Sequence, residues 1–282
     1  MNHLYSLAYL TVPGVTPPEQ VQIAARAGYD FVSLRLNQIG VPGEPDINPA
    51  APQIVRNTWA ALTATGLRCL DIELIRISRS VEPSSFIPAF EAGAQLGAKQ
   101  VICSAWTDVR NDRTFIVEKF QEICELARPF ALTVNLEFPA FSRLASLDDC
   151  IEILELSQAR NQGLLVDTLY MHFDKTPLFA LERVPAEWIN FMHICDANDV
   201  AYTKSEMIHV AREARLYPGE GAIDFSAINY LFPHLPLAIE LPNAERTATY
   251  GHQEHARRCL TAARTYLDQE PGLQKPGLGS VM

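Results

Sequence analysis

The amino-acid sequence predicts one α/β domain, a (β/α)8 barrel. Three observations lead there. Short β-rich runs alternate with helical patterns along the chain, and eight such pairs fit within residues 1–268. The alternation is strict, which implies parallel strands joined by right-handed crossovers. Neither GxGxxG nor GxxxxGK[ST], the phosphate loops of open doubly wound sheets, occurs. Eight units of this kind close a barrel rather than an open sheet.

The elements follow in order. Residues 4–10 read as the first strand and 17–27 as the first helix, opened by Pro17 and Pro18. Residues 31–36 are the second strand; helix 48–65 sets Ile54, Val55, Trp59 and Leu62 on one face. Strand 68–75 precedes helix 84–96, and strand 100–105 precedes helix 111–127 with its stripe Phe115, Ile116, Phe120, Ile123 and Leu126. Strand 132–138 leads to helix 146–156, where Ser146 and Asp149 resemble a capping box. Strand 163–168 is followed by a short helical piece at 177–181, and strand 188–195 by a long segment, 196–222, before helix 226–232. Strand 235–241 and helix 251–267 complete the set, with His252 and His255 expected on the surface. Residues 269–282 hold Pro and Gly with little apolar material and are expected to be a disordered tail.

Composition narrows the function. Hydrophobic residues make up 48% and charged residues 20%, as in globular proteins. The net charge of −10 argues against nucleic acid, whose phosphates require clustered Lys and Arg. No apolar run approaches the roughly 20 residues that span a bilayer, so no membrane role is expected. The first residues lack the basic and apolar regions of a secretory signal, which makes the cytoplasm the default. The six cysteines form no CxxC pair and read as reduced, buried thiols.

Parallel strands are buried on both faces and should be almost wholly apolar. Four late strands break that rule near their C-terminal ends: VNLEF with Glu137, GLLVDT with Asp167, FMHICD with His193 and LAIELPN with Glu240. In a barrel these ends share one face, the face that carries chemistry. Singly, each is an ordinary salt bridge, cap or core histidine. Together, three carboxylates repel one another unless a cation neutralises them. Three carboxylates and an imidazole suit one divalent metal, Mn, Mg, Co or Zn.

At these strand ends the chain resembles the xylose-isomerase-like TIM barrels of the sugar phosphate isomerase/epimerase superfamily, over about residues 5–265. The most specific stretches are VNLEF, LLVDT, FMHICDA, RLYPGEGAID and LAIELPN. The resemblance implies that Glu137, Asp167, His193 and Glu240 hold the metal. It implies that Glu137 and Glu240 are also the acid/base pair, exchanging a proton with the substrate from opposite faces. Arg215, three residues before Pro-Gly-x-Gly, would reach substrate oxygens. Many relatives carry His three residues after the strand-six Asp; here that position is Tyr170, and His172 follows two residues later, so either could contact substrate. Arg35, Glu73 and Trp106 are further candidates for the pocket lining, with a salt bridge across the mouth as the plain alternative for the first two.

The leading expectation is an isomerase or epimerase of a sugar, sugar phosphate or keto-polyol that works through an enediolate. A dehydratase acting on an inosose or a dehydroshikimate-like acid begins with the same proton abstraction and stays open. A DNA-repair endonuclease on this barrel needs three zinc ions and many histidines, whereas only His193 and His172 of the seven here fall at plausible ligand positions. A two-metal xylose isomerase needs a second site and a catalytic Lys that are not found. A vestigial barrel is opposed by the intact ligand quartet. Relatives are often dimers or tetramers, so a homo-oligomer is a further expectation.

Overall fold

The computed structural model describes residues 3–41 and 43–268; the expected tail at 269–282 lies outside the described residues. Eight parallel strands close in chain order, and the eighth pairs back on the first. They are β1 (Tyr5–Leu7), β2 (Phe31–Arg35), β3 (Arg68–Ile77), β4 (Gln100–Ala105), β5 (Thr133–Glu137), β6 (Gln162–Asp167), β7 (Met192–Ile194) and β8 (Leu237–Ile239). The surrounding α-helices are α1 (Pro17–Ala27), α2 (Pro52–Thr65), α3 (Ile87–Gln95), α4 (Val109–Ala127), α5 (Leu147–Ser157), α6 (Thr168–Phe173), α7 (Lys204–Glu213), α8 (Ser226–Leu231) and α9 (Ala244–Leu267). Among the described residues no helix is long and apolar enough to cross a membrane.

Local chemistry sets several boundaries. The Glu19 carboxylate accepts the Thr16 N–H at 2.8 Å at the start of α1, and Gly28, at φ +92°, closes its end. Three differences from the sequence reading have identifiable causes. The helix expected at 177–181 is a 3-10 segment, Leu178–Arg183, and α6 starts earlier because Asp167 caps it, accepting the Leu169 N–H at 2.9 Å. The long segment after strand seven contains α7, whose Thr203–Glu206 capping box was present in the sequence. Helix α9 begins at Ala244 because Asn243 caps it, and it bends at Gly251, whose φ of +72° and ψ of 162° are not helical.

All six cysteines are buried and unpaired. His255, expected on the surface, is fully buried: its Nε2 meets the Leu241 carbonyl at 2.9 Å and its Nδ1 the Tyr217 hydroxyl at 3.2 Å. The helical period accounts for this: His255 lies on the inward stripe of α9 with Ala256, Cys259, Leu260 and Ala263.

Inside the barrel, Phe31, Leu70, Ile102, Leu165, Phe191 and Ala238 form an apolar plug. Leu165, Phe191 and Ala238 each stand two residues before Asp167, His193 and Glu240, so strand periodicity places the polar set directly above the plug. Near the opposite end of the barrel, Gly163 lies against Asn135 and Asn190, which bond to each other at 3.0 Å.

A Cβ at Gly163 would collide with the Asn135 amide oxygen and meet Asn190 Nδ2 at 2.7 Å and the Trp188 carbonyl at 2.9 Å. Gly163→Ala is therefore expected to lower stability by about 1–3 kcal/mol through overpacking. Urea titration should show a lower midpoint at unchanged slope; an unaltered midpoint would mean that the asparagine layer yields freely.

Candidate metal centre

Each of the four predicted ligands reaches the mouth by its place in a strand. Glu137 and Asp167 are the last residues of β5 and β6, His193 is central in β7, and Glu240 follows β8. Asp167 pairs in register with His193. One ligand atom from each of Glu137, Asp167, His193 and Glu240 can be chosen so that all lie within 4.8 Å of one another. All four side chains are buried. His193 Nδ1 stands 3.5 Å from Glu137 Oε1 and 3.4 Å from Glu240 Oε2, too far for good hydrogen bonds.

Arg215 is the counter-ion behind this cluster. Its NH1 donates to Asp167 Oδ2 and its NH2 to Glu240 Oε2, both at 2.7 Å, and its Nε donates to the Ala211 carbonyl at 3.0 Å. The guanidinium is fully buried. Arg215, expected to reach substrate oxygens, is thus tied within the protein to two of the acids and to a backbone carbonyl.

The loop around Arg215 is fastened by Asp196, a residue that the sequence reading passed over. Asp196 Oδ2 accepts the Gly219 and Gly221 N–H groups at 2.9 Å each, and Oδ1 accepts those of Ala197 and Ile223 at 2.8 and 3.1 Å. A Cβ at Gly221 would collide with Asp196 and with the Ala197 carbonyl, so the Pro-Gly-x-Gly motif needs glycine there for close approach. An acid directly after the seventh strand was the available signal.

The other candidates divide. Arg35 and Glu73 pair with each other at 3.0 Å, and Arg35 also binds Glu44 at 2.6 Å, so both serve a salt-bridge network across the mouth. Tyr170 is buried, with its ring 5.7 Å from that of Phe141, edge-on, and 5.7 Å from the Arg215 guanidinium. His172 turns away from the cluster and meets the Asn198 carbonyl at 3.0 Å. Trp106 packs on Phe141 at 6.1 Å. Trp106, Phe141 and Tyr170 therefore form an aromatic wall beside the acids.

The electrostatics follow from burial. Desolvation pushes the Glu137 carboxyl up to about 7, against the pull of His193. Glu240 resists the same burial because His193 and Arg215 hold it well below the usual carboxylate range. Burial disfavours the charged imidazole of His193, but Glu240 and Glu137 raise its pKa well above the ordinary value. His193 and Glu137 are thus the two members of the cluster whose surroundings favour the protonated form. Glu137 Oε1 and both His193 ring nitrogens are buried without a hydrogen-bond partner. Unpaired buried polar atoms are costly, and a divalent cation would satisfy Glu137 Oε1 and His193 Nδ1 together. The residues present fit a metal.

Fold and site together define a (β/α)8 barrel with an acidic, metal-competent mouth. The family described as Xylose isomerase-like TIM barrel matches residues 21–259, and the chain belongs to it. The chain is 26% identical over 113 residues to the inosose isomerase of Bacillus subtilis (strain 168), which covers 39% of each. It is 23% identical over 154 residues to that of Bacillus velezensis, covering 51% of this chain and 52% of the other. The matched stretch thus spans about half or less of these curated relatives. Among solved structures, the IOLI protein with a bound zinc atom superposes with a TM-score of 0.74 at 17% identity, covering 93% of this chain and 99% of that one. The D-allulose 3-epimerase of a Methylomonas species gives 0.68 at 16% identity, covering 93% and 96%. At such identities the likeness is one of fold.

Protons and a divalent cation compete for the same atoms of His193 and Glu137. Mn2+ affinity is therefore expected to rise as pH passes from about 6 to about 8, with release of roughly one to two protons per ion. Calorimetry in buffers of different ionisation enthalpy measures both; an affinity that stays flat over this range contradicts the assignment.

Proposed function

We propose that the protein is a divalent-metal-dependent isomerase or epimerase of a small hydroxy-carbonyl substrate: a sugar, a sugar phosphate or a keto-polyol. The observation that carries this reading is the convergence of Glu137, Asp167, His193 and Glu240 within 4.8 Å, with buried ligand atoms left unpartnered. The inosose isomerase relatives, the zinc of the IOLI protein and the epimerase likeness support it.

Mn, Mg, Co or Zn held by the four residues would supply Lewis acidity that makes the C–H beside a substrate carbonyl acidic. The protein's own groups do the rest. Glu137, with Oε1 unpartnered and a carboxyl that titrates near neutrality, is suited to take or return a proton at working pH. Glu240, kept ionised by Arg215, serves as the opposite base from across the barrel mouth. Arg215 fixes Glu240 and Asp167 so that neither must reorganise during the reaction. Tyr170, Phe141 and Trp106 shield one side of the site from water.

The test is a deuterium-exchange assay by NMR with Mn2+ present, over a panel of ketoses and inososes. The expected result is solvent deuterium at the carbon next to the carbonyl, together with an epimer or aldose–ketose isomer. Glu137→Gln and Glu240→Gln should each lower the exchange rate by roughly 10³-fold. Exchange without any epimer or isomer, accompanied by loss of water from the substrate, overturns the isomerase reading in favour of a dehydratase.

A further inference from the structure

The β3 strand delivers a cation to the mouth that the metal centre does not use. Arg76 sits one residue before the end of β3. It pairs in register with Ser104, and Ser104 pairs with Glu137. Arg76 and Glu137 therefore occupy one level of the barrel, separated by one strand, about 10 Å apart along the sheet. The Arg76 guanidinium carbon lies 4.8 Å from the centre of the Trp106 ring, so this side chain extends the aromatic wall.

The two fully buried arginines at the mouth are paired with acids. Arg35 has Glu44 and Glu73, and Arg215 has Asp167 and Glu240. Arg76 is half-buried, its Nε is buried without a partner, and none of its nitrogens makes an ion pair or hydrogen bond with a described residue. The charged groups that bear on it give no compensation. Burial pushes its pKa down, and repulsion from Arg35 and Arg212 adds to that. Glu44 attracts it, but that carboxylate is already taken by Arg35 and by the Ile39, Gly40 and Val41 N–H groups. Contact through the Trp106 ring face leaves the in-plane N–H donors of a guanidinium free, and those donors match the two oxygens of a carboxylate or phosphate.

We propose that Arg76 is the specificity-determining residue of this site, and that it binds an anionic oxygen group, carboxylate or phosphate, on the far end of the substrate. The substrate class narrows to hydroxy-carbonyl compounds that carry such a group, with the reacting carbon at the Glu137 and Glu240 end and the anion beside Trp106. This rests on the isomerase or epimerase reading of the same pocket.

Two measurements separate the proposals. In the first, inorganic phosphate and acetate are titrated into the full chain with chelator present, and tryptophan fluorescence is followed. No metal then attracts the anions, and Trp106 reports on its neighbour. At least one anion should bind the wild-type protein, tenfold or more weaker in Arg76→Met, with Arg76→Lys between the two. Circular dichroism melts confirm that both variants fold. In the second, exchange is compared with Mn2+ between dihydroxyacetone and dihydroxyacetone phosphate, and between D-fructose and D-fructuronate. The anionic member of at least one pair should be favoured in kcat/KM, and which pair shows the preference tells phosphate from carboxylate. Arg76→Met should remove that preference, raising KM for the anionic member at least tenfold more than for the neutral one. Equal anion binding by wild type and Arg76→Met, or an equal loss on both members of a pair, overturns the anion site. Exchange from none of the four compounds, with Arg76-dependent anion binding intact, counts against the isomerase reading and for the anion site.

Discussion

Three carboxylates crowded into the buried mouth of a barrel are the constraint around which this molecule is arranged. Burial alone makes each of them a poor anion. Arg215 answers part of the charge by gripping Asp167 and Glu240. Glu137 and His193, which it does not pair with, are the groups whose surroundings favour the protonated form. The guanidinium pairs with Asp167 and Glu240, while Glu137 Oε1 and the His193 ring nitrogens are left without a hydrogen-bond partner.

That arrangement depends on a chain of supports running outward. Arg215 is held by the Ala211 carbonyl, and its loop is gathered by four N–H groups around Asp196. The glycines of Pro-Gly-x-Gly let the backbone close on that carboxylate. Beneath the site, the apolar plug of Leu165, Phe191 and Ala238 fixes the strands that carry the ligands. Such support matters because catalytic groups must stand within fractions of an ångström of their working positions.

The two halves of the mouth are built differently. Strands five to eight supply the acids and the imidazole. Strands two to four and the residue after strand four supply Arg35, Glu73, Arg76 and Trp106, a half with arginines and an aromatic ring. In the proposed function, proton transfer falls to the first half and substrate recognition to the second. Chemistry shared across a family can then persist on one half while the other changes its preference.

The eightfold alternation, the barrel and the four polar strand ends that converge at its mouth were all readable from sequence. These were legible because a buried parallel strand tolerates a charged side chain only where something pairs with it. The same logic extended to Arg76, in DIELIR, yet only Glu73 of that stretch was singled out. What tertiary structure alone decided was the pairing. No spacing in RLYPGEG says that Arg215 turns back onto Asp167 and Glu240, that Asp196 gathers the loop, or that Tyr170 faces the acids while His172 turns to Asn198. Local pattern fixes which face a residue presents. Which of several charges across the mouth it meets depends on loops whose course is set by contacts distant in sequence, and that course also left Arg76 on the Trp106 ring with no acidic partner among the described residues.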